Sequence, residues 1–345
     1  MSLHSEIFEQ PAVLGRLLAD QRGTVEQIAN ATRSHDLRFV FLAARGTSDN
    51  AGRYANYLWG ARNGLPVALA APSLFTYYKQ PPRLRDALVV GISQSGQSPD
   101  IVSVLAEGKR QGCLTLAITN EPDSPLAQTS DFILDLQAGE ERAVAATKTY
   151  TSELMSIAML SIALSGEPKR FEDLERVPGW VEEMLKLDDA IASMAERYRY
   201  MDHCVVLGRG YNYATVFEWA LKLKELTYVK AEPYSSADFK HGPIAMVERG
   251  FPVMAAAPDG EVYESMMGML RTLRNEYQAE LVVISNSKEA LSLAQSTMPL
   301  PQGIPEWLSP IVAIVAGQLF AHHLTAAKGY DTEHPRNIRK VTETH

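Results

Sequence analysis

The sequence repeats one arrangement of apolar segments and polar turns at an offset of about 165 residues, as a duplicated supersecondary unit does. Residues 39–46 match residues 204–210, residues 116–120 match residues 282–286, and residues 126–130 match residues 293–297. Similar strands would recur in any chain of strand–helix units, but the repeated Leu-Ala-Gln tripeptide would not. We therefore predict two related domains with the same fold.

Short apolar segments alternate with helical patterns in each half, which predicts an α/β fold of parallel sheets covered by helices. The predicted strands lie near residues 38–43, 66–70, 87–92, 114–119 and 132–136, and then near residues 203–207, 252–256, 280–285 and 297–300. We predict a helical lead over residues 1–34, domains over 35–165 and 199–330, a helical linker over 166–198, and a tail over 331–345. Ligands of such folds bind beyond the carboxyl ends of the strands.

Charge and composition narrow the classes of partner. The 345 residues carry a net charge of −8 without a long basic tract, so nucleic acids and anionic membranes are poor candidates. The longest apolar stretch, residues 308–327, contains polar side chains and favours a buried helix over a membrane span. Cys113 and Cys204 lie beside apolar runs and are predicted to be reduced core residues. Since residues 1–6 lack a basic and an apolar region, we expect no signal peptide and a cytoplasmic location.

Residues 93–98 form the strongest candidate for a binding site. They follow the apolar strand 87–92 and end at Ser98-Pro99, a typical helix start, so free backbone N–H groups meet the positive end of a helix dipole there. Such a place binds phosphate. The segment has no lysine, which excludes the nucleoside-triphosphate P-loop and favours the monophosphate of a small metabolite. Thr47 and Ser48, after the first strand, can converge on the same phosphate; alternatively, all these hydroxyls only cap helices and close turns.

Acid–base side chains occur in a predicted helix and in the polar stretch that follows it. Glu218, Lys222 and Glu225 share one face of a helix predicted over residues 211–229, where an exposed row of salt bridges is the usual role of such residues. His241 lies in residues 231–243, which are predicted to form a loop, and histidine readily exchanges protons at neutral pH.

Three other features favour a structural interpretation when they are taken alone. Glu140 and Glu141 are typical of a solvated loop, followed by a helix that Thr147 could cap. The basic tail around Lys340 is typical of a solvated chain end. No compact group of metal-ligating residues is evident, because the adjacent side chains of His322-His323 diverge on a helix. We therefore predict no metal and no cofactor.

Six motifs in order resemble the sugar isomerase (SIS) domain family, and within it the isomerase half of glutamine–fructose-6-phosphate amidotransferase, over nearly the whole chain. The motifs are Arg45-Gly46-Thr47-Ser48, Ser93-Gln94-Ser95-Gly96, Ala145-Ala146-Thr147-Lys148, Leu221-Lys222-Leu223-Lys224-Glu225, Lys240-His241-Gly242-Pro243, and Pro335-Arg336-Asn337 with Lys340. The resemblance implies two tandem SIS domains, each a flavodoxin-like three-layer sandwich, in a homodimer whose active sites lie near the subunit interface.

The resemblance also implies roles for individual residues. It makes Glu225 the base that moves a proton between C1 and C2 of the sugar, and Lys222 an aid to proton movement at a sugar hydroxyl. His241, supplied by the neighbouring subunit, would help to open the sugar ring, and Lys340 would form an imine with the ketose. The implied substrate-binding residues are Arg45, Gly46, Thr47, Ser48, Ser93, Gln94, Ser95, Ser98, Val144, Ala145 and Ala146.

Departures from the amidotransferase pattern indicate a related activity. Residue 2 is serine and the isomerase-like sequence starts at once, so we expect no ammonia to be made from glutamine. Ala146 replaces a serine and Arg45 replaces a cysteine, and together with residues 98–100 and 139–141 they resemble SIS-type glucosamine-6-phosphate deaminases. The resemblance therefore implies conversion of glucosamine 6-phosphate to fructose 6-phosphate and ammonia. A fructosamine-phosphate deglycase, a galactosamine-6-phosphate deaminase and a non-catalytic sugar-phosphate-binding regulator remain alternatives.

Overall fold

The computed structural model describes residues 2–340, which form two compact units, each assembled from separate segments of chain. The unit that we call the N-unit contains Ala12–Arg142 and Lys148–Arg176, and takes up the chain again at Arg339. The other, the C-unit, contains the chain up to Pro11, Ala143–Thr147 and Val177–Ile338. The first residue of the predicted lead and residues 341–345 of the predicted tail lie outside the described residues.

The N-unit is built on one parallel sheet whose strand order is β2-β1-β3-β4-β5. The strands are β1 (Phe39–Ala43), β2 (Val67–Leu69), β3 (Ala87–Ile92), β4 (Leu114–Thr119) and β5 (Phe132–Asp135). Every residue of β3 is buried, as expected for the central strand of a sheet that is covered on both faces. This is the flavodoxin-like order, and it places a topological switch point between β1 and β3.

The C-unit repeats this topology with the order β7-β6-β8-β9-β10, again wholly parallel. Its strands are β6 (His203–Gly208), β7 (Lys230–Ser235), β8 (Pro252–Ala256), β9 (Glu280–Ser285) and β10 (Ser296–Pro299). Strand β6 takes the place of β1, and β8 takes the place of β3. The predicted α/β fold with two related parallel sheets is thereby confirmed.

Helices connect and flank the strands in both units. In chain order they are α1 (Leu3–Phe8), α2 (Gln10–Arg33), α3 (Thr47–Asn63), α4 (Ser73–Thr76), α5 (Pro99–Arg110), α6 (Pro125–Thr129), α7 (Lys148–Ser165), α8 (Phe171–Glu175), α9 (Val177–Leu185), α10 (Asp188–Arg197), α11 (Asn212–Lys222), α12 (Ser236–Lys240), α13 (Tyr263–Asn275), α14 (Lys288–Ser292) and α15 (Ser309–Ala327). Short 3₁₀ turns cover Pro168–Arg170, Pro243–Met246 and Glu306–Leu308, and a π-helical turn covers Leu223–Thr227.

Two segments differ from their predicted structure. The loop predicted over residues 231–243 is wrong in its first part, because strand β7 ends only at Ser235 and α12 follows directly. Strand β7 lies at the edge of the sheet, where a proline such as Pro233 is tolerated because only one side of the strand has a hydrogen-bonded neighbour. The helix predicted over residues 211–229 is α11, but it widens into the π-helical turn and ends where Tyr228 adopts a left-handed conformation.

Helix α15 is the long apolar helix that the sequence predicts to be buried. Residues 306–327 are long and apolar enough to cross a membrane by length and composition. However, 78% of the most apolar window is buried inside the protein, as in the core helix of a globular domain.

Candidate functional site

The two hydroxyl-bearing loops of the N-unit lie at the same edge of its sheet. Strands β1 and β3 are neighbours, and Ala43 at the end of β1 pairs with Gly91 near the end of β3. The loops that leave these ends begin helices α3 and α5, so two helix N-termini and their free N–H groups flank the switch point. The structure thus brings residues 45–48 and 93–98 to the same edge of one sheet, on either side of its switch point.

The loop of residues 93–98, which we call the serine loop, is held in one conformation by its own hydrogen bonds. The hydroxyl of Ser93 accepts the N–H of Gly96 at 3.1 Å, and the hydroxyl of Ser95 accepts the N–H of Gln97. Gly96 has a φ of 60°, and a Cβ built on it would lie 2.0 Å from the hydroxyl oxygen of Ser124. Only glycine therefore fits this position without strain and overlap.

Ser98 takes the N-cap position of α5 as predicted, with Pro99 next to it. Its side chain makes no capping hydrogen bond among the described residues. The Ser98 hydroxyl thus differs from the usual N-cap hydroxyl, which is occupied by a backbone N–H of its own helix.

Ser48 is placed differently from what the sequence suggests. Helix α3 begins at Thr47, after Gly46 in a left-handed conformation, but the Ser48 hydroxyl points into the unit and donates to Oε1 of Glu153 at 2.7 Å. Because a hydroxyl has one proton, Ser48 cannot donate it to a phosphate at the same time. The sequence gives no sign of Glu153, which lies on the almost wholly buried helix α7.

Arg45 connects the loop after β1 to the first turn of α5. Its Nε donates to Oδ2 of Asp100 at 2.8 Å, and the Asp100 side chain is 2% exposed whereas that of Arg45 is 52% exposed. Asp100 lies in the first turn of α5, where a carboxylate also favours the helix dipole. A cavity of about 450 Å³ adjoins Arg45, Gly46 and Asp49 on the β2 side of β1. The serine loop lies on the opposite, β3 side of β1.

The interpretation of Glu141 as a solvated loop residue is wrong. Its carboxylate is buried and accepts the N–H and the hydroxyl of Thr149, at 3.1 and 2.8 Å, at the start of α7. The Nζ of Lys340 donates to Oε2 of the same carboxylate at 2.6 Å. Lys340 therefore has a defined, partly buried position in the N-unit, while the neighbouring Glu140 is exposed.

Glu218, Lys222 and Glu225 form a buried charged group in the C-unit, which we call the acid–base triad. Nζ of Lys222 lies 3.3 Å from Oε1 of Glu218 and 2.6 Å from Oε2 of Glu225. The side chains of Glu218 and Lys222 are 0% and 1% exposed, whereas that of Glu225 is 24% exposed. The predicted alternative of an exposed row of salt bridges is wrong, because only Glu225 reaches solvent.

The carboxylates keep Lys222 charged although it is buried. Burial by itself lowers the pKa of Lys222, but Glu218 and Glu225 together outweigh that effect and hold the pKa above its ordinary value. Glu225 lies in the π-helical turn, a feature that occurs frequently at functional sites. Sequence spacing alone did not indicate this turn.

His241 lies in a turn after α12 and is exposed. In the described part of the chain, its side chain makes no hydrogen bond or ion pair with the acid–base triad. The tail contacts the C-unit at Arg336. The N–H of Arg336 donates to the hydroxyl of Tyr228 at 2.9 Å, and its guanidinium stacks over the same ring.

The segment Val144–Ala146 belongs to the C-unit, together with its neighbours Ala143 and Thr147. The N–H of Ala143 donates to the buried carboxylate of Glu6 in α1 at 3.2 Å. The side-chain amide of Gln318 in α15 donates to the carbonyl of Thr147 at 3.3 Å. This backbone is therefore held at both ends.

Three side chains with metal-binding atoms come together in the C-unit, although no compact group of them is evident in the sequence. The rings of His322 and His323 lie 5.0 Å apart and do not diverge as predicted. Nε2 of His323 lies 2.6 Å from Asp188, which also contacts His4 at 3.0 Å. Sequence separations of 184 and 135 residues hide this group from any spacing rule. Hydrogen bonds from the two imidazoles outweigh burial and lower the pKa of Asp188 below its ordinary value.

Comparisons with known proteins agree with the architecture. The family model described as "SIS domain" matches the chain twice, over residues 36–163 and 199–327. Glutamine–fructose-6-phosphate aminotransferase (isomerizing) of Aquifex aeolicus is 34% identical over 338 residues, covering 97% of this chain and 56% of that protein. The chain thus spans a little more than half the length of the curated relatives that it matches.

Solved structures extend the likeness. The C-terminal domain of glucosamine-fructose-6-phosphate aminotransferase from Francisella tularensis has a TM-score of 0.86 and 27% identity, covering 96% of this chain and 98% of that one. Glucosamine-6-phosphate deaminase from Thermotoga maritima has a TM-score of 0.80 and 20% identity, covering the whole of both chains. At that identity, the second likeness shows the fold alone.

Proposed function

The chain belongs to the SIS domain family, and from that premise we propose that it is an enzyme that converts glucosamine 6-phosphate and water to fructose 6-phosphate and ammonia. The observation that carries the proposal is the acid–base triad, in which one partly exposed carboxylate, Glu225, is fixed by a buried ammonium group, Lys222. A positioned carboxylate is the general base that an aldose–ketose proton transfer requires.

We assign phosphate binding to the N-unit. Ser93, Ser95 and Ser98 offer hydroxyl groups beside the free N–H groups at the start of α5. Hydrogen bonds to a charged group contribute about 1.5–3 kcal/mol each, so several of them bind a phosphate without a lysine. Ser48 fixes the start of α3 by its hydrogen bond to the buried Glu153. Arg45 holds the loop after β1 against α5 by its ion pair with Asp100. Gly46, Thr47 and Gln94 complete the phosphate-binding set that we propose.

We assign proton transfer to the C-unit. In the open-chain sugar, Glu225 takes the proton from C2 and returns it to C1, while the C1 oxygen gains a proton that the amine nitrogen loses. The aldehyde with a C2 amine thereby becomes a C2 ketimine with a C1 hydroxyl. Water then adds to the C2–N double bond, and the C–N bond breaks to release ammonia and leave the ketose. Lys222 remains charged and stabilises the oxygen that gains negative charge during the transfer. Val144, Ala145 and Ala146 are proposed to line the sugar.

Lys340 and His241 take the roles that the family resemblance implies. The amine of Lys340, once it has left Glu141 and lost a proton, can add to the C2–N double bond of the ketimine before water does. Ammonia then leaves as the imine between Lys340 and the ketose forms, and water hydrolyses that imine to release the ketose. His241 is exposed, which fits a residue that helps to open the ring of a sugar bound by a neighbouring subunit. A homodimer is therefore part of this proposal.

The proposal extends to the surroundings of the enzyme. Both cysteines are free and buried, which fits the reducing cytoplasm. We keep residues 35–165 and 199–330 as the proposed extents of the two domains. Ammonia release instead of glutamine-dependent synthesis is favoured by Ala146 and Arg45, the residues that depart from the amidotransferase pattern.

The test is turnover of glucosamine 6-phosphate by the purified chain, with ammonia and fructose 6-phosphate measured in parallel. Equal amounts of both products are expected. Galactosamine 6-phosphate and a fructosamine phosphate are supplied in separate reactions. Consumption of either one, with glucosamine 6-phosphate untouched, overturns the proposed substrate, and binding of sugar phosphates without any turnover establishes the regulator instead.

Variants separate binding from chemistry. Glu225→Gln is expected to bind glucosamine 6-phosphate but to lose exchange of its C2 proton with solvent, whereas Glu264→Gln, at an exposed position of α13, keeps both binding and exchange. Lys340→Met is expected to lose turnover, with Lys169→Met at an exposed position as its control. Retained proton exchange in Glu225→Gln removes Glu225 from the role of base, and turnover that survives truncation before Pro335 removes Lys340.

A further inference from the structure

Three side chains of the C-unit with metal-binding atoms come together on elements that the proposed reaction does not use. They are His4 in α1, Asp188 at the start of α10 and His323 in α15. One ligand atom from each lies within 4.8 Å of the other two. We propose that this group, the His–Asp–His cluster, binds a divalent transition-metal ion, and that zinc is the ion that fits it best.

The donor set selects the class of metal. Two imidazole nitrogens and one carboxylate oxygen suit zinc and its first-row neighbours, whereas calcium and magnesium prefer oxygen ligands only. Three protein ligands with a fourth position open to water form a common zinc arrangement. Donors at about 2.0–2.1 Å from a tetrahedral ion lie about 3.3 Å from one another, so the observed spacing of 2.6 to 4.8 Å needs only small side-chain movements.

The cluster can be hydrogen-bonded or metal-bound. The two states differ in whether the Nε2 atoms of the histidines carry a proton or bind the metal ion. Nε2 of His4 faces Oδ2 of Asp188 at 3.0 Å, and Nε2 of His323 faces Oδ1 at 2.6 Å. A carboxylate only accepts, so each of these nitrogens carries its proton there. When the metal binds, the Nε2 lone pairs and the carboxylate turn to the ion and the ring protons reside on Nδ1. The same three side chains thus form both states without a change of backbone.

The surroundings suit a bound ion. The side chains of His4, Asp188 and His323 are 36%, 21% and 16% exposed, so an ion can enter from solvent and still lose much of its water. The ring of His322 packs 5.0 Å from the rings of both His4 and His323. Its Nδ1 is buried with no hydrogen-bond partner among the described residues. This nitrogen offers an acceptor for a water molecule on the open position of the metal.

A bound metal would join three helices that are far apart in the sequence. Helix α1 has only six residues and makes little structure on its own, yet it carries Glu6, whose carboxylate holds the N–H of Ala143. Metal binding at His4 fixes α1 on α10 and α15, and through Glu6 it fixes the start of the segment Val144–Ala146. The metal is therefore a structural clamp and takes no part in the reaction.

The test is zinc titration of the full chain, prepared without a histidine tag and stripped with a chelator. We expect one equivalent of zinc to bind in calorimetry, and one equivalent of cobalt(II) to give the visible absorption of a nitrogen- and oxygen-ligated tetrahedral ion. His4→Gln and His323→Gln are each expected to weaken zinc binding by about 100-fold or more, since outer-shell changes alone cost 10–100-fold. His334→Gln is the matched control. His334 also contacts an aspartate, Asp331, at 3.0 Å, but this pair is exposed and lies outside the His–Asp–His cluster.

The absence of a saturable equivalent overturns the proposal, and so does zinc binding that both cluster variants retain. If His323→Gln does not fold, His4→Gln still decides the matter, because His4 is the most exposed of the three. Thermal unfolding gives a second readout: zinc raises the melting temperature of the wild type and of His334→Gln but not of His4→Gln. Turnover of sugar phosphates is a separate measurement, so either proposal can fail while the other stands.

Discussion

Replacement of Gly96 by alanine tests whether the serine loop is the phosphate site. Gly96 has a φ of 60°, and its Cβ would lie 2.0 Å from the Ser124 hydroxyl oxygen and 2.5 Å from the Ser124 Cβ. Gly112, in the same unit, has a φ of 79° and nothing within 4 Å of its virtual Cβ. The two glycines therefore share backbone strain, but only Gly96 adds a collision.

The magnitudes follow from this difference. A left-handed conformation costs an alanine about 1–2 kcal/mol, and this lowers the free energy of unfolding of both variants. Overpacking costs about 1–3 kcal/mol more, and it destabilises Gly96→Ala alone. We expect Gly112→Ala to lower the free energy of unfolding by about 1–2 kcal/mol and Gly96→Ala by about 2–5 kcal/mol. Adding Ser124→Gly to Gly96→Ala removes the collision and returns the 1–3 kcal/mol, less a few tenths for the weaker N-cap of α6.

Two assays are needed, urea unfolding for stability and calorimetry for fructose 6-phosphate binding. The affinity for the sugar phosphate is expected to fall about tenfold or more in Gly96→Ala, since loss of one good hydrogen bond to phosphate accounts for about 1.5 kcal/mol. Gly112→Ala is expected to bind normally. Equal stability losses in the two variants would refute the packing argument, and normal sugar-phosphate affinity in a folded Gly96→Ala would refute the placement of the phosphate.

Three further predictions concern individual ionisable groups. Lys222→Met takes the ammonium from the fully buried Glu218, so we expect urea unfolding to show a loss of about 3–5 kcal/mol; a loss below 1 kcal/mol, typical of exposed pairs, would contradict the burial. Burial raises the pKa of Asp131, but hydrogen bonds from Thr115 and a nearby lysine outweigh it, and the net pKa lies below 3.8. A group whose pKa is lower in the folded state adds stability above its unfolded pKa, and this stability is lost as the pH falls through the folded pKa. Because solvent screens this partly exposed carboxylate, Asp131→Asn should cost at most about 1 kcal/mol at pH 7 and less as the pH falls; a difference that is constant with pH would be evidence against this. Burial raises the pKa of Cys204 to about 12, so its thiol should react with a disulfide reagent at pH 8 only after unfolding, and rapid labelling of the folded chain would show that the core is open.

The fold could be predicted from the sequence wherever a strand is central. Strands such as β3 and β6 are apolar on both faces, and their continuous runs are visible without any structure. Strand β7 was missed because an edge strand has one neighbour and a solvated side, so its sequence is polar and tolerates Pro233. Composition could not distinguish it from a loop.

The site could be predicted only in its local parts. The serine loop can be recognised in the sequence because a strand, several hydroxyl groups and a helix start follow one another within a few residues. The partners that bury a charge come from elsewhere in the chain: Glu141 meets Lys340 across 199 residues, and Ser48 meets Glu153 across 105. No periodicity or spacing rule reaches so far, because such contacts depend on the packing of whole elements. The roles of the individual residues in catalysis stay predictions until the variants are measured.

The π-helical turn at Leu223–Thr227 makes the position of Glu225 depend on the number of residues rather than on their kind. A π turn holds one residue more than the α turn that it replaces. Deletion of Lys224, which lies between Lys222 and Glu225, would rotate every later position by about 100° around the axis. Glu225 would then be carried off Lys222 although both side chains were still present. The number of residues between Lys222 and Glu225 therefore matters to the acid–base triad as much as their identity does.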